Sequence, residues 1–302
     1  RGFVIDRSHT SPDFLVTREG LTAAVEAVTA NPSSAEPYNT FKGEEGIEID
    51  PLEYARHEAA VKLGSPLFSK LKKKYWEWPY VTGKPLILAI QDFNSNGSLL
   101  QTSAALVQYL YGSEQRWYHD AQGQLVTSEH PIAFHLKKNL TPIPSGFFNQ
   151  PYAENVSGVL FSNSGTIAKF LRMGQQALGP ERTLKILRFG LAQNFDPNSA
   201  LPEIFIHEVG KPGNPVETWH EGTALMLNPN AKHPVPQHWL GAVVELRWEG
   251  DTIVSIAEDR FLPLSSLTVT LSVGTSRAQM RAEIERQRSL LQDILENLAP
   301  TL

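Results

Sequence analysis

The chain predicts an α/β protein, a mixed β-sheet flanked by helices, with a second α+β lobe closed by a long terminal helix. Three observations carry that prediction: a tight strand-turn-strand pattern over residues 13–29, an apolar run at 84–93 that follows a helical stretch, and helically spaced apolar side chains over 277–298. At 302 residues, 41% hydrophobic and 20% charged, the chain is longer than one ordinary domain of about 100–200 residues. Two lobes are therefore expected, at 1–150 and 151–302.

Residues 2–8 read as a first strand and 13–17 (Asp-Phe-Leu-Val-Thr) as a second. Arg18, Glu19 and Gly20 turn the chain into a third strand at 21–29, which makes a hairpin. Residues 31–50, rich in Asn, Pro, Ser, Gly and Glu, predict a long irregular connection of the kind that is functional or disordered. A helix is expected from 51 to 78, broken at Pro66 after Gly64 and Ser65 and ended by Pro79. The apolar run at 84–93 suits a parallel strand buried on both faces and reached through that helix. Residues 98–111 read as helical, and 116–150 as turns and short strands. The second half begins with a strand at 156–162 and a helix at 167–173. Short strands are expected at 203–209, 223–227, 241–248 and 252–257. In the terminal helix, Met280, Ile284, Leu291, Ile294, Leu295 and Leu298 form one stripe, which offers a homodimer contact or a face for packing on the lobe.

Composition narrows the function classes. No cysteine is present, which removes disulfides, thiolate metal sites and thiol catalysis and points to a reducing, cytoplasmic compartment. No segment reaches the roughly 18 consecutive apolar residues of a membrane span. The chain begins at Arg1, directly in an apolar run and without a signal peptide, so its native N-terminus is expected to be missing. A net charge of -5 argues against binding nucleic acid by bulk attraction.

Local basic clusters must therefore do any such work. The main one is Lys70, Lys72, Lys73 and Lys74, followed by Tyr75, Trp76 and Trp78, a mixture that suits phosphates and stacked bases; a solvated lysine face with Trp76 and Trp78 in the core is its plainer role. Lys137 and Lys138 form a smaller one. The loop Ser162-Asn163-Ser164-Gly165-Thr166 precedes a helix and can present backbone N–H groups to a phosphate, with Lys169 and Arg172 one turn on; helix capping is its plainer role. Three His-Glu pairs, beginning at His57, His207 and His220, lack the second histidine that a zinc-protease helix needs.

The sharpest feature is an acid on an apolar strand. Glu26 lies within Ala-Ala-Val-Glu-Ala-Val, where burial of its carboxylate demands a partner: a metal, Arg7 or a helix lysine. Strand alternation puts Glu26 and Val28 on one face and Ala27 on the other. Asp13, behind Pro12 on the neighbouring strand, comes across from Glu26. Paired carboxylates on stiff strands suit a divalent cation, which takes oxygen ligands and assists phosphodiester hydrolysis. Asp92, closing the 84–93 strand, offers a further carboxylate for the same site, with capping of the next turn or lining of the cleft rim as its plainer role, and Glu58 with Lys62 is expected to form a surface pair.

Pro12-Asp13, a short hairpin and Glu26-Ala27-Val28 before a helix resemble the Pro-Asp... Glu-x-Lys core of the PD-(D/E)XK, or restriction-endonuclease-like, nuclease superfamily, over roughly residues 1–93. Residues 12–32, 67–71 and 160–173 further resemble a divergent branch of bacterial proteins with nuclease-like N-terminal regions. The resemblance implies a restriction-endonuclease-like first lobe acting on DNA or RNA, with Mg2+ (or Mn2+) held by Asp13, Glu26 and the Ala27 carbonyl. Its catalytic residues would be Asp13, Glu26 and a lysine. Val28 stands at the lysine position and can neither orient nor activate water. Members of the superfamily also draw this lysine from elsewhere; Lys70 and Lys74 share a helix face, and Lys70, between Leu67 and Leu71, is the expected donor. Lys72, Lys73, Lys74, Lys169 and Arg172 are the expected nucleic-acid contacts. The alternative is a catalytically degenerate module of the same fold that binds nucleic acid or a protein partner.

Overall fold

A computed structural model describes residues 2–30, 51–92, 98–137, 139–178, 184–257 and 261–298. The expected connection at 31–50 and Lys138 lie outside them. In order, the first elements are β1 (Val4–Asp6), β2 (Phe14–Arg18), β3 (Leu21–Ala30), α1 (Pro51–Leu71), β4 (Leu86–Asp92) and α2 (Ser98–Tyr111). Next come β5 (Ser113–His119), β6 (Leu125–Pro131), β7 (Phe134–Leu136), β8 (Pro142–Pro144), β9 (Gly158–Ser162) and α3 (Ile167–Ala177). The chain ends with β10 (Leu184–Ala192), β11 (Glu203–Glu208), β12 (Thr223–Leu227), β13 (Val244–Glu249), β14 (Thr252–Ala257), β15 (Leu267–Ser272) and α4 (Arg277–Leu298).

The protein is mixed α/β, built on an eight-stranded sheet in the order β1-β2-β3-β4-β9-β12-β13-β14. β1, β2 and β3 form an antiparallel meander. After α1 the chain re-enters as β4, parallel to β3, and β9 then lies parallel to β4. Alternation along the central strands divides the apolar side chains between two faces. Ala24, Val28 and Ala30 of β3, with Leu86, Leu88 and Ile90 of β4, meet Leu63, Leu67 and Leu71 of α1 and Leu106, Tyr109 and Leu110 of α2. Ala23, Val25 and Ile87 face the other way, towards Leu225, Val235 and Trp239. Glu26 lies on the α1 side, in the middle of an apolar layer.

α1 runs without interruption through Pro66, where a break was expected. The proline removes one backbone hydrogen bond, but Leu63 and Leu67 are buried on either side of it and keep the helix on the sheet. α1 also stops earlier than expected, at Leu71. Lys74 turns left-handed (φ 52°), and Tyr75–Glu77 form a single 3-10 turn.

Where the sequence reading cuts the chain once, at 150, its contacts define two compact units that interleave. The first comprises residues 1–116, 127–163 and 223–257; the second comprises 117–126, 164–222 and 258–302. The whole eight-stranded sheet belongs to the first unit. The second holds the antiparallel sheet β11-β10-β15 with α3 and α4. α4 packs on β11 and β10, burying Leu291 and Gln287 and leaving Leu290 exposed. None of the described helices is long and apolar enough to cross a membrane.

Candidate functional site

The side chain of Glu26 is the centre of the candidate site. Its strand gives it no choice of face: Ala24 and Val28, two residues either way, sit in the α1-facing core, and Glu26 itself is 3% exposed. A carboxylate in that position is stable only if its oxygens are satisfied. Four donors do this. Lys70 Nζ, from the last turn of α1, lies 2.5 Å from Oε1, and the Tyr75 hydroxyl donates to the same oxygen at 2.8 Å. Ser11 Oγ and the Asp13 backbone N–H donate to Oε2, each at 3.2 Å. The Tyr80 hydroxyl donates to the Ser11 carbonyl at 2.6 Å and pins that segment. Burial, and then the hydrogen bond to Glu26, push the Tyr75 phenol above its ordinary pKa, so the hydroxyl keeps its proton and remains a donor. The nearby charge of Asp13 acts on it in the same direction.

Asp13 lies opposite Glu26, one residue before the Phe14–Val25 pair that ends the β2–β3 register. Its Oδ2 accepts the Ala27 N–H at 2.7 Å, continuing the ladder with a side chain. Ala24 N–H donates to the Pro85 carbonyl, on the β4 side. In an extended strand the N–H and C=O of one residue share a direction, and odd and even residues point to opposite edges. The Ala27 carbonyl is thereby directed to the edge where Asp13 lies. Asp13 and Glu26 are thus joined through Asp13 N–H and Glu26 Oε2, and the Ala27 carbonyl shares the β2-facing edge of β3 with the Ala27 N–H that donates to Asp13. Among the described residues no group of three or more His, Asp or Glu side chains is placed to hold a metal ion.

Of the two lysines weighed from the sequence, the structure brings Lys70 to Glu26 and sends Lys74 elsewhere. Lys74 Nζ lies 4.9 Å from the Tyr152 ring centroid and 3.5 Å from Glu77. Trp76 stacks on the same ring at 6.4 Å, and Tyr152 is 55% exposed. Lys72 lies over Phe68, and Lys73 is exposed. Val28 packs in the core, as its apolar side chain requires.

Several expectations need correction. Lys169 and Arg172 are buried in the second unit rather than presented at its surface. Arg172 makes a two-point ion pair with Glu217, both bonds 2.7 Å, and a hydrogen bond to Thr268 Oγ1. Lys169 donates to the Trp219 and Glu221 carbonyls, and burial pulls its pKa down. Arg188 pairs with Glu221, whose pKa burial raises against the pull of that arginine. The cluster is an internal brace. Thr166 caps α3 through Oγ1, so the loop before it performs the plainer of its two expected roles. Glu58 and Lys62 do pair, but Glu58 is buried rather than on the surface. Asp92 is likewise buried, at the end of β4.

Sequence reasoning grouped Tyr75 with rings for stacking, whereas it is buried and donates to Glu26, and it did not single out Ser11. The only signal for them was the demand itself, since a buried carboxylate needs more donors than one lysine. Comparison with protein-family models, curated proteins and solved structures returns no match for this chain.

Proposed function

We propose that the first unit carries a restriction-endonuclease-like, divalent-metal-dependent site for hydrolysing the phosphodiester bonds of DNA or RNA. The meeting of Lys70 with Glu26, beside Asp13, carries this reading. A strand lacking the usual lysine has one supplied by the following helix, within an order of three antiparallel strands, helix and parallel strand. Asp13, Glu26 and the Ala27 carbonyl offer only oxygen atoms, the donors that Mg2+ or Mn2+ takes. When bound, the ion supplies Lewis acidity and a bound water of lowered pKa. The chain's own groups then divide the work. Tyr75 and Ser11 hold Glu26 in one orientation, Lys70 brings positive charge to the rim, the exposed Lys72 and Lys73, with Lys74 over the Tyr152 ring, receive phosphates, and the Trp76–Tyr152 stack receives a base.

A second reading is favoured by Val28 in the core and by the four donors already on Glu26. In it, the same fold binds nucleic acid without turnover.

Labelled single- and double-stranded DNA and RNA incubated with Mg2+ or Mn2+ separate the two. The first reading predicts cleavage that falls in Asp13→Ala and in Glu26→Ala by more than the roughly 10–100-fold that loss of a supporting contact costs. Cleavage that survives both substitutions contradicts it. Binding without cleavage supports the second.

A further inference from the structure

Helix α3 of the second unit is inside out. Its two charged residues, Lys169 and Arg172, face inward with Gln175, and all three are buried. Glu217 and Thr268 hold Arg172 there, and the Trp219 and Glu221 carbonyls hold Lys169. The opposite face carries Ile167, Phe170, Leu171, Gly174 and Ala177, with Leu178 just beyond the last turn; they recur at helical spacing and all six are exposed. None of the six is ionisable. Ile167 is 88% exposed and Phe170 59%, and the Phe170 ring lies 5.5 Å from that of Trp219, itself 63% exposed.

Such a face is stable in water only at a cost, and covering it is favourable. Large apolar and aromatic side chains span roughly 150–250 Å2 each, so Ile167, Phe170, Leu171, Leu178 and Trp219 together leave on the order of 600 Å2 exposed. That is the upper end for the largest patch on a monomer, about 300–600 Å2, and it approaches the roughly 800 Å2 that each partner gives to a stable interface. Charge and shape both identify the occupant as a second copy. With its lysine and arginine turned inward, the face offers no cation to acidic lipid headgroups or to an acidic protein, and no anion to a basic one. An equally uncharged surface matches it, and a second copy supplies one. Gly174 lies in the middle of the face, one turn after Phe170 and Leu171, and a Cβ added there meets no atom within 4 Å. Glycine is disfavoured inside a helix, and no contact among the described residues requires it here. In an antiparallel pair of α3 helices, Phe170 and Leu171 of each copy stand over the hollow at Gly174 of the other, the self-complementary contact that a two-fold axis requires.

We propose that the chain forms a two-fold homodimer through α3, with Phe170 and Leu171 of each copy seated at Gly174 of the other and Trp219 at the rim. The α4 stripe, which the sequence offers as the dimer contact, packs instead on β11 and β10 of its own unit. The contact draws on no residue of the Glu26 site.

Sedimentation equilibrium on the full chain tests it. The wild type is expected to be a dimer at about 50 μM, above the micromolar end of affinities for interfaces of standard area. Phe170→Asp puts a charge on the seam and is expected to weaken the dimer at least a hundredfold. Gly174→Gln fills the hollow without adding charge; it is expected to weaken the dimer at least tenfold while raising the urea midpoint of the dilute, monomeric protein. Both positions are exposed, and far-UV circular dichroism checks that the variants keep the fold. Leu290→Asp, on the exposed side of α4, should leave the dimer unchanged. A wild type that stays monomeric at that concentration overturns the proposal, and its co-sedimentation with phosphatidylserine vesicles would assign the face to lipid instead. A dimer that survives either α3 substitution, or that is lost in Leu290→Asp, overturns it by placing the contact elsewhere.

Discussion

At Glu26, an apolar residue would have packed against α1 with no partner at all, whereas the carboxylate requires four donors drawn from three stretches of chain. Tyr75 is the donor that can be removed most cleanly, because Tyr75→Phe keeps the ring in the core and deletes only the hydroxyl. A hydrogen bond to a charged group contributes about 1.5–3 kcal/mol, and Tyr75→Phe is expected to destabilise the fold by that amount. The check is a lower urea midpoint with an unchanged slope. An unchanged midpoint would show that the phenol does not hold Glu26.

His135 offers a pH test at the same scale. Its ring is 1% exposed, shares a 2.9 Å hydrogen bond with Ser145 Oγ and packs near His57 and Tyr109. Burial, and then the charge of His57, push its pKa down to about 4 from 6.5. Between those values the unfolded chain binds a proton that the folded one refuses. Stability from this residue is therefore complete above pH 6.5 and declines as pH falls towards 4, by up to about 3 kcal/mol. Urea unfolding at pH 7 and pH 4.5 should show this loss in the wild type and a smaller one in His135→Gln.

Among the elements, α1 carries both the packing and the lysine. Gly64 lets the ring of Tyr109 on α2 come so close that an added Cβ would lie 2.5 Å from it. Helix propensity alone would make Gly64→Ala stabilising by about 1 kcal/mol. The buried clash opposes that gain, and forcing a methyl into a packed core costs about 1–3 kcal/mol, so the net effect is expected to be destabilising. A thermal melt of Gly64→Ala decides the sign.

Element by element, the first unit was largely legible because its signals are local. Gly20 marks the hairpin turn, the 84–93 run marks β4, and the position of α2 matches its helical pattern. The end of α1 was not legible, since the left-handed residue there is Lys74 rather than a glycine or asparagine. β10 was missed because Lys185, Arg188 and Gly190 interrupt its apolar reading, and the buried Arg188 is satisfied by Glu221 and Ser266, which lie far along the chain.

On the scale of the whole molecule, the interleaving of the two units has no sequence signature, because β12, β13 and β14 join the first sheet only after the chain has built most of the second. The candidate site divides in the same way. Asp13 and Glu26 were readable from one hairpin, and Lys70 from its helix face. Tyr75, 49 residues from Glu26, and Ser11 became visible only once α1 was laid across the sheet.

Everything proposed for the Glu26 site of the first unit depends on whether Asp13, Glu26 and Ala27 hold a divalent ion. Anomalous diffraction at the manganese edge, from crystals of the protein soaked in Mn2+, measures this directly. A peak between the Asp13 and Glu26 carboxylates is the expected result. No peak there at saturating Mn2+ would contradict the divalent-ion reading.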